Sequence, residues 1–305
     1  MMEQELLSLF KKTAQKATGP LGIGFKDLNS GRELYHNGST VFPTASVYKI
    51  FLLCELFRQQ KEGKFHFSDR HTLLDREKSI GSGILELIEE GAVFSLRDYV
   101  MLMMAISDNT ATDYLMNLAG AENVQRYLCE TVGLTQTRCN MECGQLLTRY
   151  YGVTTEKYRE VMQVDGRFHC RNGSYFACQE EKNNQTSPRD MVKLLSLLYS
   201  GQLLGKETDG EIIRIMEQCQ TNGRIPARLP HGVKVAHKTG SIDHLTNDCG
   251  IVYTPCGNYI LSLFYNGNLG SEEEYEGTDW TSFGDRLLSQ LSADIYDIYQ
   301  QNYRH

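Results

Sequence analysis

Leu6, Leu7, Phe10 and Ala14 recur at helical spacing and predict an amphipathic helix at the start of the chain. Leu21 to Asp27 and Glu33 to His36 read as strands, and Asn29-Ser30-Gly31 between them supplies turn-forming residues for a β-hairpin. The pattern then changes period. Ile50-Phe51-Leu52-Leu53-Cys54 is a continuous apolar run that predicts a buried helix, and helical spacing persists to about Gly205. Within that stretch Ser95 and Asp98 form a capping pair ahead of the apolar helix Tyr99 to Ile106. Strand-like runs return at Val233 to Ala236, Gly250 to Tyr253 and Tyr259 to Phe264, and Leu287, Leu291, Ile295 and Ile298 mark a terminal helix. Residues 1–45 and 206–305 are therefore expected to build one discontinuous α/β sheet domain. Residues 46–205 form a helical domain with an enlarged loop at about 138–187.

Composition narrows the function classes. A chain of 305 residues, 41% hydrophobic and 23% charged, has the size and make-up of a globular enzyme, here expected to act as a monomer. Its net charge of −7 and lack of a basic block argue against nucleic acid as a partner. No run of about 18 apolar residues predicts a membrane span. The first twenty residues lack the charged head and apolar centre of a signal peptide, so the sequence as written reads as cytoplasmic, or as a secreted protein whose leader has been removed. Nine scattered cysteines, among them Cys139/Cys143 and Cys170/Cys178, show no C-x-x-C spacing and read as free, largely buried thiols of a reducing environment. No H-E-x-x-H pair occurs, and His237 should alternate to the strand face opposite Lys238. Neither metal nor cofactor is expected.

The chemistry lies in three strings taken in order: Ser46-Val47-Tyr48-Lys49, Ser107-Asp108-Asn109 and Lys238-Thr239-Gly240. The first sets a hydroxyl and an amine three residues apart at the head of the buried helix, on one helical face. A lysine in a dry site loses basicity until it can take the proton of an attacking serine, and a helix N-terminus favours the developing negative charge. Ser8 and Lys11 share the spacing but stand in the amphipathic N-terminal stretch without companion motifs. The three strings read together as a serine acyl-transfer site.

Order and spacing resemble the class A serine β-lactamase and penicillin-binding protein superfamily, where S-x-x-K, S-D-N and K-T-G surround one cleft. The likeness extends to SDNTATDYL at 107–115, RIPARLPHGVKVAHKTG at 224–240, and Asn247-Asp248 with the apolar run to Pro255. It covers roughly residues 3 to 300. The fold it implies is α/β (α+β): an antiparallel sheet flanked by helices, beside an all-helical domain. It implies Ser46 as nucleophile, Lys49 as its activator, and Ser107 with Lys238 as relay to the leaving nitrogen. The backbone N–H groups of Ser46 and Ser241 would form the oxyanion hole. Asn109 would hold the substrate amide, Thr239 and Lys238 its carboxylate, and Gly240 would leave the strand bare for substrate. Asp108 reads as a structural residue. Arg224 stands either as a carboxylate-binding arginine or as a solvated surface residue.

The departure from the family lies between Asn109 and Pro188, a separation of 79 positions that exceeds the usual by over two dozen. The family carries there a glutamate, four residues before an asparagine, that activates the hydrolytic water. Glu180 and Asn184 have that spacing but lack the usual leucine between them and lie too close to Pro188, so the match reads as accidental; Glu142 and Glu160 are no better placed. Acylation machinery looks complete and the deacylation base is unassigned. Three functions follow: a β-lactamase-like hydrolase acting on β-lactams or related amides, a D-Ala-D-Ala-type peptidase or esterase, and a penicillin-binding or sensor module acylated without turnover. The intact motif residues and the lack of an attached signalling or membrane segment argue against the third, and the first is preferred as a class with its substrate open.

Overall fold

The computed structural model describes residues 2–165, 183–242, 245–267 and 280–303. In chain order it begins with α1 (Met2–Lys16), β1 (Leu21–Asp27), β2 (Glu33–His36), β3 (Phe42–Pro43), a 3₁₀ turn at Ala45–Tyr48 and α2 (Lys49–Lys61). A ribbon of β4 (Arg70–Thr72) and β5 (Val93–Ser95) leads to α3 (Leu96–Ala105), α4 (Asn109–Ala119), α5 (Ala121–Arg126), α6 (Cys143–Tyr151) and α7 (Thr155–Asp165). There follow β6 (Gln185–Thr186), α8 (Pro188–Ser200), α9 (Lys206–Met216), β7 (Val235–Ile242), β8 (Leu245–Thr254), β9 (Gly257–Asn266) and α10 (Trp280–Tyr303). Two compact units result. One comprises Met1–Val47, Leu134–Thr137 and Gln185–His305, the other Tyr48–Gly133 and Arg138–Asn184.

The first unit is built on a five-stranded sheet of order β2-β1-β9-β8-β7, antiparallel throughout. Its first hairpin forms where the turn residues sit: Gly31 takes φ 75° and donates to Asp27 O at 2.9 Å. Alternation along β1 sorts the two faces. Leu21, Ile23 and Phe25 join Leu6 and Phe10 of α1 and Leu288, Leu291, Ile295 and Tyr299 of α10 in one core. Each such side chain, when fully buried, contributes ~1.5–3 kcal/mol. Gly24 faces α8, and a Cβ there would lie 2.8 Å from Val192 Cγ2, so the small residue admits the helix. Ser187 caps α8 by accepting from Asp190 N, with Pro188 in the first turn.

Among the described residues the β4–β5 ribbon accompanies helices in the second unit. The apolar run at the start of α2 makes it the buried centre: Ile50, Phe51, Leu52, Leu53 and Leu56 have no exposed surface. Ser95 and Asp98 form the expected capping box, and α3 starts at Leu96.

The sheet strands outrun their apolar runs. Those expected from Val233, Gly250 and Tyr259 are Val235–Ile242, Leu245–Thr254 and Gly257–Asn266. Lys238, Asn247 and Asp248 are buried polar members of these strands, and their partners within the fold compensate a burial that hydropathy alone disfavours.

Candidate functional site

Residues 44–47 carry the Ser46 end of the first string. Ala45 adopts φ 43°, in the left-handed region where residues with a Cβ are strained, and the 3₁₀ turn Ala45–Tyr48 follows with α2 starting at Lys49. In such a turn positions i and i+3 eclipse. The turn is tied to the sheet. Asn247 Nδ2 on β8 donates to Pro43 O at 2.9 Å and Thr44 O at 3.1 Å. Opposite Asn247 on β7 stands Gly240, where a Cβ would lie 2.4 Å from Thr44 O and 3.0 Å from Ser46 N. The bare side of Gly240, expected to leave room for substrate, is where the Ser46 turn packs. Only glycine lets the strand and the Ser46 amide approach this closely.

Arg224 reinforces the same corner. Its Nη1 donates to Gly240 O at 2.9 Å and Asn247 O at 2.6 Å, Nε to Asp285 Oδ1 at 2.7 Å, and Nη2 to Ser241 Oγ. It is buried, which excludes the solvated-surface alternative, and the guanidinium fork is spent largely on holding β7 to β8. Lys238, wholly buried, donates to Thr239 O at 2.9 Å, and Thr239 Oγ1 donates to Thr221 Oγ1 at 2.9 Å. His237 points to the other face, as alternation requires, with Nδ1 2.8 Å from Asp248 Oδ1.

In the second unit Lys49 sits under the second string. Its Nζ donates to Ser107 O at 2.7 Å, Ser107 Oγ at 3.0 Å and Asn109 Oδ1 at 2.9 Å. Three acceptors thus surround an amino group that has no exposed surface. Burial lowers the lysine's pKa, against the pull of Cys143, Asp113 and Asp108. Ser107 itself is held at φ 63°. Asp108 fixes this strained bend: Oδ1 accepts from Ala111 N at 2.8 Å, capping α4, and Oδ2 from Ile84 N at 2.6 Å and Leu85 N at 2.9 Å. The structural reading of Asp108 is the one observed. Asn109 Nδ2 donates to Ile80 O at 2.9 Å, so both ends of that amide are engaged.

Two residues that act on Lys49, Cys143 and Asp113, were given no role by the sequence. Cys143 Sγ lies 3.0 Å from Tyr48 Oη, and burial pushes the thiol up to about 12 against the attraction of Lys49. Asp113 accepts from Cys143 N at 2.6 Å, from Gly144 N at 2.9 Å and from Ser79 Oγ, and burial raises its pKa against those bonds. The only signal for them in the sequence is the helical register that puts Asp113 four positions after Asn109. Of the glutamates considered, Glu160 is exposed and pairs with Lys157 at 3.1 Å. Glu142 precedes α6, with its pKa raised by burial and by Asp113 against a bond from Asn117. Glu180 lies outside the described residues. Its companion Asn184 is buried and staples the chain: Oδ1 accepts from Asn140 N at 2.9 Å and Met141 N at 3.1 Å, and Nδ2 donates to Met141 O at 2.8 Å.

Residues 2–299 match the family described as "Beta-lactamase enzyme family". The chain belongs to that family. It is similar to beta-lactamase VEB-1 of Pseudomonas aeruginosa, 23% identical over 92% of this chain and 85% of that protein. A beta-lactamase of Streptomyces fradiae is 24% identical over 77% and 69%. Among solved structures PBP-A aligns at TM-score 0.77 and 24% identity, covering 98% of this chain and 97% of its own. The beta-lactamase of Sphaerobacter thermophilus aligns at 0.76 and 23%, covering 98% and 97%. These likenesses establish the α/β fold of beta-lactamases and penicillin-binding proteins for this member of the family.

Proposed function

We propose that this member of the beta-lactamase enzyme family is a serine hydrolase that opens β-lactams or related amides through an acyl-enzyme on Ser46. The observation that carries the reading is the buried Lys49 amino group on Ser107 Oγ and Asn109 Oδ1. Burial favours its neutral form, and a neutral amine so placed takes the Ser46 proton as that oxygen attacks the carbonyl. The chain keeps Ser46 and Lys49 three residues apart. As the tetrahedral adduct forms, the Ser46 and Ser241 N–H groups stabilise its oxyanion. Ser107, assisted by Lys238, returns the proton to the departing nitrogen. Lys238 and Thr239 bind the substrate carboxylate, Asn109 the amide through its remaining Nδ2 proton, and Arg224 and Gly240 position the strand.

Hydrolysis of the acyl-enzyme is the slow half of the reaction in this scheme. Asp113, a carboxylate acting on Lys49, has its oxygens occupied by Cys143 N, Gly144 N and Ser79 Oγ, which leaves it ill suited to draw a proton from water. A solved mutant of PBP-A, 24% identical, is described as an acyl-enzyme complex with penicillin-G. The test is a time course with a chromogenic cephalosporin, a D-Ala-D-Ala peptide and a short-chain ester, each with the parent and Ser46→Ala proteins. Cephalosporin opening that disappears in Ser46→Ala supports the reading. Turnover of the peptide or ester alone moves the protein to the peptidase or esterase class.

A further inference from the structure

The segment 79–85 of the second unit is laid along the second string bond by bond. Asn109 N donates to Ser82 O at 2.8 Å, Asn109 Nδ2 to Ile80 O at 2.9 Å, and Ile84 N and Leu85 N to Asp108 Oδ2 at 2.6 Å and 2.9 Å. Glycines on both sides of Ser82 permit the approach. Gly81 and Gly83 take φ 104° and 121°; a Cβ would stand 2.5 Å from Asn109 Nδ2 at the first and would meet Asp108 Oδ2 at the second. The turn so formed sets the Ser82 hydroxyl on two oxygens already bound by Lys49. Ser82 Oγ donates to Ser107 O at 2.8 Å, with Asn109 Oδ1 a second acceptor at 3.3 Å. The same two oxygens accept from Lys49 Nζ at 2.7 Å and 2.9 Å.

We propose that Ser82 is a positioning residue of the Lys49 site, its hydroxyl holding the Ser107 carbonyl and the Asn109 amide oxygen in place while competing with the amine for both. Ser107 is held at φ 63°, a strained conformation for a residue with a Cβ, so bonds from outside the bend are needed to keep its carbonyl aimed. A hydroxyl hydrogen directed at these oxygens brings the positive end of its dipole beside Nζ and takes up acceptor capacity that an ammonium would otherwise use. Lys49 has no exposed surface whereas Ser82 is exposed, so of the two donors only Ser82 meets water.

Removing the hydroxyl ends the competition and lets water reach the two oxygens, and each change favours the charged amine. Burial, which lowers the Lys49 pKa, is thereby weakened. Cys143 of α6, Asp113 of α4 and Asp108 at the α4 cap, which pull the other way, stay in place. The effect on acylation rests on Lys49 being the base proposed above; the effect on the titration of Lys49 does not.

The decisive measurement is therefore the titration of Lys49 itself, followed by NMR in protein labelled with carbon-13 at lysine Cε, the Lys49 signal being identified by its loss in Lys49→Ala. The net worth of one hydrogen bond corresponds to a midpoint shift of about half to one pH unit. Ser82→Ala should raise the Lys49 midpoint by about that amount, and Ser82→Thr, which keeps a hydroxyl, should hold it at the parental value. If Ser82→Ala does not fold, Ser82→Cys, similar in size but a weak donor, carries the same expected rise. An unchanged or lower midpoint in the variant lacking the hydroxyl, or an equal rise in Ser82→Thr, makes Ser82 a structural residue and overturns the proposal. Below the midpoint the same displacement should slow penicillin labelling of Ser46 about three- to tenfold. A raised midpoint with unslowed labelling supports the role of Ser82 and counts against Lys49 as the base. No Ser46 labelling of the parent counts against the proposed function and leaves the titration result standing.

Discussion

Replacing Gly240 with alanine tests how the Ser46 turn is held. The added Cβ would stand 2.4 Å from Thr44 O, 3.0 Å from Ser46 N and 3.1 Å from Val47 N, all backbone atoms of one turn. No side chain can swing away, so the turn or the strand must shift. Asn247 Nδ2 and the Arg224 fork oppose the shift by pinning the same corner. Overpacking of this kind costs about 1–3 kcal/mol. A displacement of about 1 Å at a reacting group costs about a hundredfold in rate, and loss of one oxyanion donor costs about as much. Gly24→Ala supplies the control: its Cβ would meet Val192 Cγ2 at 2.8 Å and Pro188 O at 3.0 Å, far along the chain from the Ser46 turn. Thermal unfolding should show both variants destabilised. Rapid-quench labelling with penicillin should show the acylation rate down about a hundredfold in Gly240→Ala and near the parental rate in Gly24→Ala. Equal acylation rates in Gly240→Ala and the parent would refute the claim that this contact sets the Ser46 amide.

Three further outcomes follow from the same geometry. Lys49→Ala should slow acylation at least about a hundredfold; in the parent, the acylation rate should climb with pH to a plateau below the ordinary lysine range, because burial lowers the Lys49 pKa. A parental rate in the mutant would leave Lys49 as structure only. Burial disfavours the Asp27 carboxylate, yet bonds from Ser30, Tyr303, Asn29 N and Tyr299 outweigh it and lower the pKa. The stability it supplies is therefore present above its unfolded pKa and lost as pH falls through the folded value. Asp27→Asn should flatten the acid limb of a urea-midpoint titration below pH about 4, and an unchanged limb would count against the network. Penicillin adducts should persist for minutes or longer and Glu180→Gln should leave their lifetime unchanged. Rapid turnover abolished by that substitution would make Glu180 the deacylating base.

What the sequence disclosed was what local chemistry encodes. Ser46 and Lys49, or Ser107 to Asn109, are readable because each string is short and its geometry follows from one turn. Apolar runs disclosed the buried α2 and the terminal helix for the same reason. Cys143 and Asp113 were given no role because they act on Lys49 through tertiary packing, Cys143 meeting Tyr48 across 95 positions. The pairing of β3 with β6 involves two residues a side, too few to show alternation. Asn247 looked like a strand residue of no special duty. Its bonds to Pro43 O and Thr44 O, across more than 200 positions, give it the task of anchoring the Ser46 turn. Arg224 was legible as an arginine near the site but not as a clamp, since its partners include Asp285 on α10.

The claim on which the account depends is that Ser46 is the acylated residue. Intact mass spectrometry of the protein after brief exposure to penicillin G, followed by peptide mapping, addresses it directly. A single penicilloyl adduct on the peptide containing Ser46, lost in Ser46→Ala and strongly reduced in Lys49→Ala, is the expected result. An adduct on another residue, or labelling that survives Ser46→Ala unchanged, would contradict it.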